Sequence, residues 1–340
     1  MHKSYNAAML MVVFGAGASY DSAPSLPVLA GYPHQFRPPL SNELFQNRTA
    51  FASIASRYPQ MLPIVPYLRA LGEKSVEEIL EELEIEGQNF VKRRAQLLAV
   101  RFYLHDLLSE CTRQWLTDSG RITNYRTLLD QIAKHYQTEE PIPLVTFNYD
   151  MLLEDALGDH GFRNVSITDY IGTSSAFKLF KLHGSVNWWR VVRNSGGSNN
   201  IPHEIIEHAA NLEITDTFSN NIEGQSGRFV PALAIPVRNK VNFECPTEHL
   251  EELQRLIPKV SKILFIGWRG TEQHFLRLLK QSASSLRYCM FVARDRDDAA
   301  EIAKRVMEGI GKSYLVNTPL GEGGFTDLVV RRGAEPFLAR

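Results

Sequence analysis

The sequence predicts an α/β protein, a doubly wound parallel sheet with an inserted helical module. Short apolar runs that end in small or polar residues recur at 9–14, 143–147, 177–182, 262–266 and 289–292, the pattern of strands buried on both faces. The stretches between them carry helical periodicity, for instance at 76–90, 95–116 and 124–136. Strands alternating with helices imply a parallel sheet joined by right-handed crossovers. Residues 15–142 separate the first two runs, far more chain than a crossover needs, so a helical module is inserted there.

Taken in order, the first strand sits in MHKSYNAAMLMVVFGAGAS. Its apolar run is too short to span a bilayer and enters a glycine turn at once. No later stretch reaches the roughly 20 apolar residues of a membrane helix, and no cleavable signal stands out, so a soluble cytoplasmic protein is expected. The insert, placed at 41–139, contains an acidic run from Glu77 to Glu86 beside Ile79, Leu80, Leu83 and Ile85, which reads as the solvated face of an amphipathic helix. Residues 1–40 and 140–340 form the sheet domain in this reading. The segment 193–228, with NSGGSNN and NNIEGQSG, is rich in turn formers and is expected to be a flexible loop or small excursion.

Composition excludes some functions. With 44% hydrophobic residues in 340, the chain can bury one large core or a core and a smaller module. A formal net charge of -1 supplies no global field for nucleic acid or an anionic membrane. Cys111, Cys245 and Cys289 are too few for a four-cysteine zinc site and odd in number, so no metal and no disulfide framework are expected. No carboxylate pattern of the two-metal type appears, and the adjacent Trp188 and Trp189 read as packing rather than a base-stacking platform.

Three turns, each at the end of a predicted strand, carry chemistry. The first is Gly15-Ala16-Gly17-Ala18-Ser19, where small residues admit a pyrophosphate and turn amides supply donors. A tight strand-to-helix turn would use the same residues, and the full G-x-G-x-x-G spacing is missing. The second is Thr146-Phe147-Asn148-Tyr149-Asp150, at the carboxyl end of a strand where open α/β sheets place ligands. Its alternative reading is a turn in which Asn148 and Asp150 cap the next helix. The third is Lys181-Leu182-His183-Gly184-Ser185, in which a histidine able to exchange a proton near neutrality precedes a glycine that lets a ligand approach.

In combination GAGAS, TFNYD and KLHGS resemble the sirtuin signatures, in sirtuin order. PPLSNELF at 38–45, PALAIPV at 231–237, ILFIGWRGTEQHFL at 263–276 and CMFVARD at 289–295 extend the resemblance over nearly the whole chain. It implies a Rossmann-like domain that binds NAD as substrate. Asn148 and His183 match the catalytic pair. The turn of Gly15, Ala16, Gly17 and Ser19, with Asp21, would line phosphates and ribose, and Gly267 and Trp268 the adenosine end. Thr146, Asp150 and Gly184 complete the expected cofactor-binding set. The chain lacks the four-cysteine zinc module and the Gly-Ile-Pro-Asp-Phe-Arg segment of protein-deacylating sirtuins, having Ser22-Ala23-Pro24-Ser25-Leu26-Pro27 in that region.

These departures resemble the NAD-hydrolysing branch, bacterial antiphage effectors that stop phage growth by depleting NAD. The resemblance implies a homo-oligomer, with a HerA-type hexameric ATPase or an Argonaute-like protein as partner, and no direct nucleic-acid or membrane binding. The rival readings are an NAD-dependent protein deacylase and a catalytically silent NAD or ADP-ribose sensor.

Overall fold

The computed structural model describes residues 9–26, 34–70, 72, 74–136, 140–173, 175–193, 201–237, 243–311, 315–317 and 323–339. In chain order the elements are β1 (Met9–Phe14), α1 (Ala16–Tyr20), α2 (Thr49–Ala55), α3 (Val65–Arg69), α4 (Val76–Gly87), α5 (Val91–Asp118) and α6 (Asn124–His135). Then come β2 (Ile142–Thr146), α7 (Leu152–Leu157), β3 (Phe177–Lys181), β4 (Gly184–Arg193), α8 (Pro202–Glu207), β5 (Glu213–Ser219) and β6 (Arg228–Leu233). The last third holds α9 (Thr247–Leu256), β7 (Val260–Ile266), α10 (Gln273–Ser282), β8 (Tyr288–Val292), α11 (Arg296–Ile310), β9 (Leu315–Asn317), α12 (Gly324–Val330) and α13 (Glu335–Leu338).

Six strands form one parallel sheet in the order β3-β2-β1-β7-β8-β9, the doubly wound order that reverses direction at β1 and opens a crevice there. The five apolar runs expected as strands all lie in it. Alternation along β1 explains the two faces. Leu10, Val12 and Phe14 enter one core with α6, α7, α12 and α13, while Met11 and Val13 enter the opposite core with α9, α10 and α11. Sequence reading missed β9, which is three residues long.

A second sheet, β5-β4-β6, is antiparallel and packs with α2, α3, α4, α5 and α8 around a separate core. Residues 201–228, anticipated as a flexible loop or small excursion, hold α8, β5 and the start of β6; residues 194–200 lie outside the described residues. Polarity misled there, because β5 has no fully buried residue; its ladder to β4 and the half-buried Ile214 and Phe218 hold it. The insert also differs at its far end. Tyr125, Leu128, Leu129 and Ile132 of α6 pack in the core of the parallel sheet, not with the α2–α5 module.

Between the sheets His249 of α9 is 1% exposed. Its Nε2 meets the Ile167 carbonyl at 2.8 Å, and its ring lies against Tyr170 and Trp188. Burial pushes its pKa from 6.5 down to about 4. The unfolded chain therefore takes up a proton at a pH where the folded chain does not, and stability falls as pH drops from 6.5 to about 4. This one group accounts for up to about 3 kcal/mol. Urea unfolding across that window is expected to show a flatter pH slope in His249→Gln than in wild type; an unchanged slope contradicts the assignment.

Candidate active site

The ends of β1, β2, β3 and β7 meet at the crevice because the loops extend the ladder by one bond each. Gly15 N donates to Ile266 O at 3.0 Å, Phe147 N to Phe14 O at 3.1 Å, and Leu182 N to Thr146 O at 3.1 Å. The glycine turn and the β7 loop interlock by backbone alone. A Cβ on Gly15 would stand 2.6 Å from Gly267 O and from Trp268 Cα, and one on Gly267, whose φ is +60°, would stand 2.2 Å from Ala18 N. Three turn amides are engaged within the protein, Gly15 on Ile266 O and Gly17 on Gly267 O at 3.0 Å and Ala18 on Gly15 O at 2.9 Å. Sequence reasoning assigned these glycines to a diphosphate; the structure gives them a packing duty as well.

Asn148 is buried in the β2–α7 turn. Its backbone N–H is held by Thr146 Oγ1 at 3.1 Å, and its Nδ2 donates to Gly15 O at 2.9 Å, Ser19 Oγ at 2.8 Å and Tyr125 OH at 3.2 Å. The amide nitrogen is thereby fully used, which leaves Oδ1, the negative end of the amide dipole, for a ligand. Ser19 Oγ in turn donates to Asp150 Oδ2 at 2.7 Å and lies 2.9 Å from Tyr125 OH. Asp150 Oδ1 accepts from Leu152 N at 3.1 Å, so Asp150 both starts α7 and anchors Ser19. Burial holds the Tyr125 phenol well above its ordinary pKa, keeping it a neutral donor.

His183 is buried at the β3–β4 junction. Phe147 meets its ring edge to face at 4.9 Å between centroids, and the His274 ring lies 6.0 Å away and nearly parallel. Trp268, expected at the adenosine end, is itself buried with its indole stacked between Phe147 and Phe265; it backs the aromatic wall behind His183. Below the site Lys181 Nζ donates to Glu154 Oε1 at 2.7 Å and to the carbonyls of Tyr149 at 3.3 Å and of Asp150. Both charged side chains of that pair are almost fully buried, at 0% and 2% exposure. Burial raises the Glu154 pKa against the lowering effect of Lys181.

One cavity of about 1350 Å³ is lined by Gly15, Ala16, Gly17, Ser19, Asp21, Asn148, Asp150, His183, Gly267 and Trp268. Thr146 and Gly184 do not line it. Thr146 positions Asn148, and Gly184, at φ +87°, lies so close to β6 that a Cβ there would stand 1.9 Å from Ala232 O. Asp21 lines the cavity while its carboxylate accepts from Thr326 N at 2.9 Å and Thr326 Oγ1 at 2.7 Å; burial raises its pKa. The far wall comes from Leu40, Ser41, Glu77 and Leu108, on or just before the helical module.

Tyr125, the Lys181–Glu154 pair and the module's contribution escaped sequence reasoning. Only Lys181 had a signal, a charge inside the apolar run FKLFKL, which requires a buried counter-ion. Among the described residues no three His, Cys, Asp or Glu come together as metal ligands. Burial pushes the thiols of Cys111, Cys245 and Cys289 up to about 12, so each is a neutral thiol at physiological pH. Among the described residues no helix is long and apolar enough to cross a membrane.

Residues 143–311 match a family described as a SIR2-like domain. Among solved structures it is similar to a mutant Sir2 homologue bound to ADP-ribose, at 14% identity over 98% of this chain and 94% of that one, with a TM-score of 0.38. A Sir2 homologue in complex with NAD is similar at 14% identity over 96% and 90% of the two chains, with a TM-score of 0.38. Sir2 with an inhibitor, 2'-O-acetyl-ADP-ribose and a deacetylated p53 peptide gives 13% identity, 98% and 95% coverage and a TM-score of 0.40. No sequence among curated proteins matches.

Proposed function

We propose that the protein hydrolyses NAD at the nicotinamide–ribose bond, giving nicotinamide and ADP-ribose, with Asn148 and His183 as the catalytic residues. The observation that carries this reading is the convergence of His183 and an amide locked by three acceptors on one dinucleotide-sized cavity. The SIR2-like match supports NAD as the substrate.

In the reaction the C1'–N bond breaks and its electron pair leaves with nicotinamide, which departs neutral because the pyridinium was cationic. The ribose left behind has oxocarbenium character. Asn148 Oδ1 faces that developing positive charge with no reorganisation, since its other end is fixed, and the same oxygen can accept from the attacking water. Water adds at C1', and His183 takes the proton that this addition releases, directly or relayed through a ribose hydroxyl. Phe147, Trp268 and His274 form an aromatic wall on the His183 side that keeps bulk water out.

Incubation of purified protein with NAD, without and with an acyl-lysine peptide, separates this reading from deacylation. Hydrolysis gives ADP-ribose at the same rate in both; nicotinamide release only in the presence of peptide assigns the protein to deacylation instead. The antiphage role, NAD depletion in the cytoplasm by a homo-oligomer or with a HerA-type ATPase or Argonaute-like partner, extends the proposal by the resemblance of TFNYD and HGSVNW. Its test is loss of cellular NAD on phage challenge in cells carrying wild type but not Asn148→Ala.

A further inference from the structure

We infer that Arg269 is the cation that meets the dinucleotide's diphosphate, and that Glu77 of the helical module competes for it, so that substrate binding loosens the module's hold on the sheet domain. The inference rests on the NAD reading and adds to it a phosphate-binding residue and a route to regulation.

A diphosphate at the glycine turn needs donors, and the structure has engaged three there, the Gly15, Gly17 and Ala18 amides. A side-chain cation has to make up the difference. Arg269 begins one residue after Trp268, whose Cα lies against Gly15, and lines the same cavity. Its backbone is pinned by Arg305 Nη1, which donates to Arg269 O at 2.6 Å. Its side chain is 55% exposed and reaches Glu77 Oε1 at 2.6 Å and Ser41 Oγ at 3.5 Å.

The other two arginines on the cavity wall differ. Arg294 pairs with Asp295 and Asp298, and Arg305 with Glu301, all on α11 or at its N-terminal cap, so an exchange there would leave the module untouched. Glu77 lies in the first turn of α4. The Arg269–Glu77 contact therefore ties the insert to the loop after β7, and a half-exposed ion pair of this kind is weak. A diphosphate offers the guanidinium a bidentate acceptor of higher charge.

The test is calorimetric binding of ADP-ribose, which carries the diphosphate but has no nicotinamide to lose, with adenosine as the phosphate-free control. It uses the full chain as wild type, Arg269→Ala, Glu77→Gln and the double variant. Arg269→Ala is expected to weaken ADP-ribose by about 10- to 100-fold and to leave adenosine unchanged. Glu77→Gln is expected to tighten ADP-ribose by about 2- to 5-fold, a gain that disappears in the double variant. Wild-type affinity in Arg269→Ala, or the same gain from Glu77→Gln with Arg269 absent, overturns the assignment while the NAD reading stands. Failure of wild type to bind ADP-ribose at all removes both.

Discussion

Asn148→Ala is expected to lower nicotinamide release by about two to four powers of ten while leaving a folded, soluble protein. The reason is the one-sided use of its amide. Gly15 O, Ser19 Oγ and Tyr125 OH hold the nitrogen, so the oxygen is presented in a single orientation, and alanine removes that preorganised dipole. His183→Ala should fall in the same range by removing the group that takes the proton. Thermal unfolding alongside turnover separates the readings: loss of folded protein in step with activity would make both residues structural.

The second large effect concerns stability. Lys181→Met leaves Glu154 buried without its counter-ion and frees the Tyr149 and Asp150 carbonyls from Nζ. A single broken buried pair of this kind costs about 3–5 kcal/mol, because the stranded charge keeps its desolvation penalty. The double variant Lys181→Met/Glu154→Leu removes that charge and should recover part of the loss. Urea unfolding of the wild type, both single variants and the double variant measures it; a double-variant loss equal to the sum of the two single losses would show that the pair is not coupled.

Much of this architecture was legible because burial writes itself into local sequence. Five β-strands of the parallel sheet are short apolar runs, and the three turns that face the cavity follow three of them directly. What escaped notice depends on contacts distant in sequence. Tyr125 lies 106 residues from Ser19, to which it bonds, and nothing near it in sequence marks it as part of the site. β5 carries no fully buried residue and reads as loop by composition. The glycines posed the opposite difficulty. GAGAS reads as a phosphate turn, yet its close fit to Gly267 depends on a segment some 250 residues away, invisible until both are placed. The same interlock explains why Trp268, legible as a site residue, turns out to be part of the wall behind His183.

The most direct test of the central claim is a single-turnover reaction, with enzyme in excess over NAD, separated by chromatography. Excess enzyme makes even a slow or restrained activity visible within one cycle. The account predicts that wild type converts the NAD to nicotinamide and ADP-ribose with no acceptor added, and that Asn148→Ala leaves it intact. NAD bound to wild type and recovered whole would contradict the account and make the protein an NAD sensor.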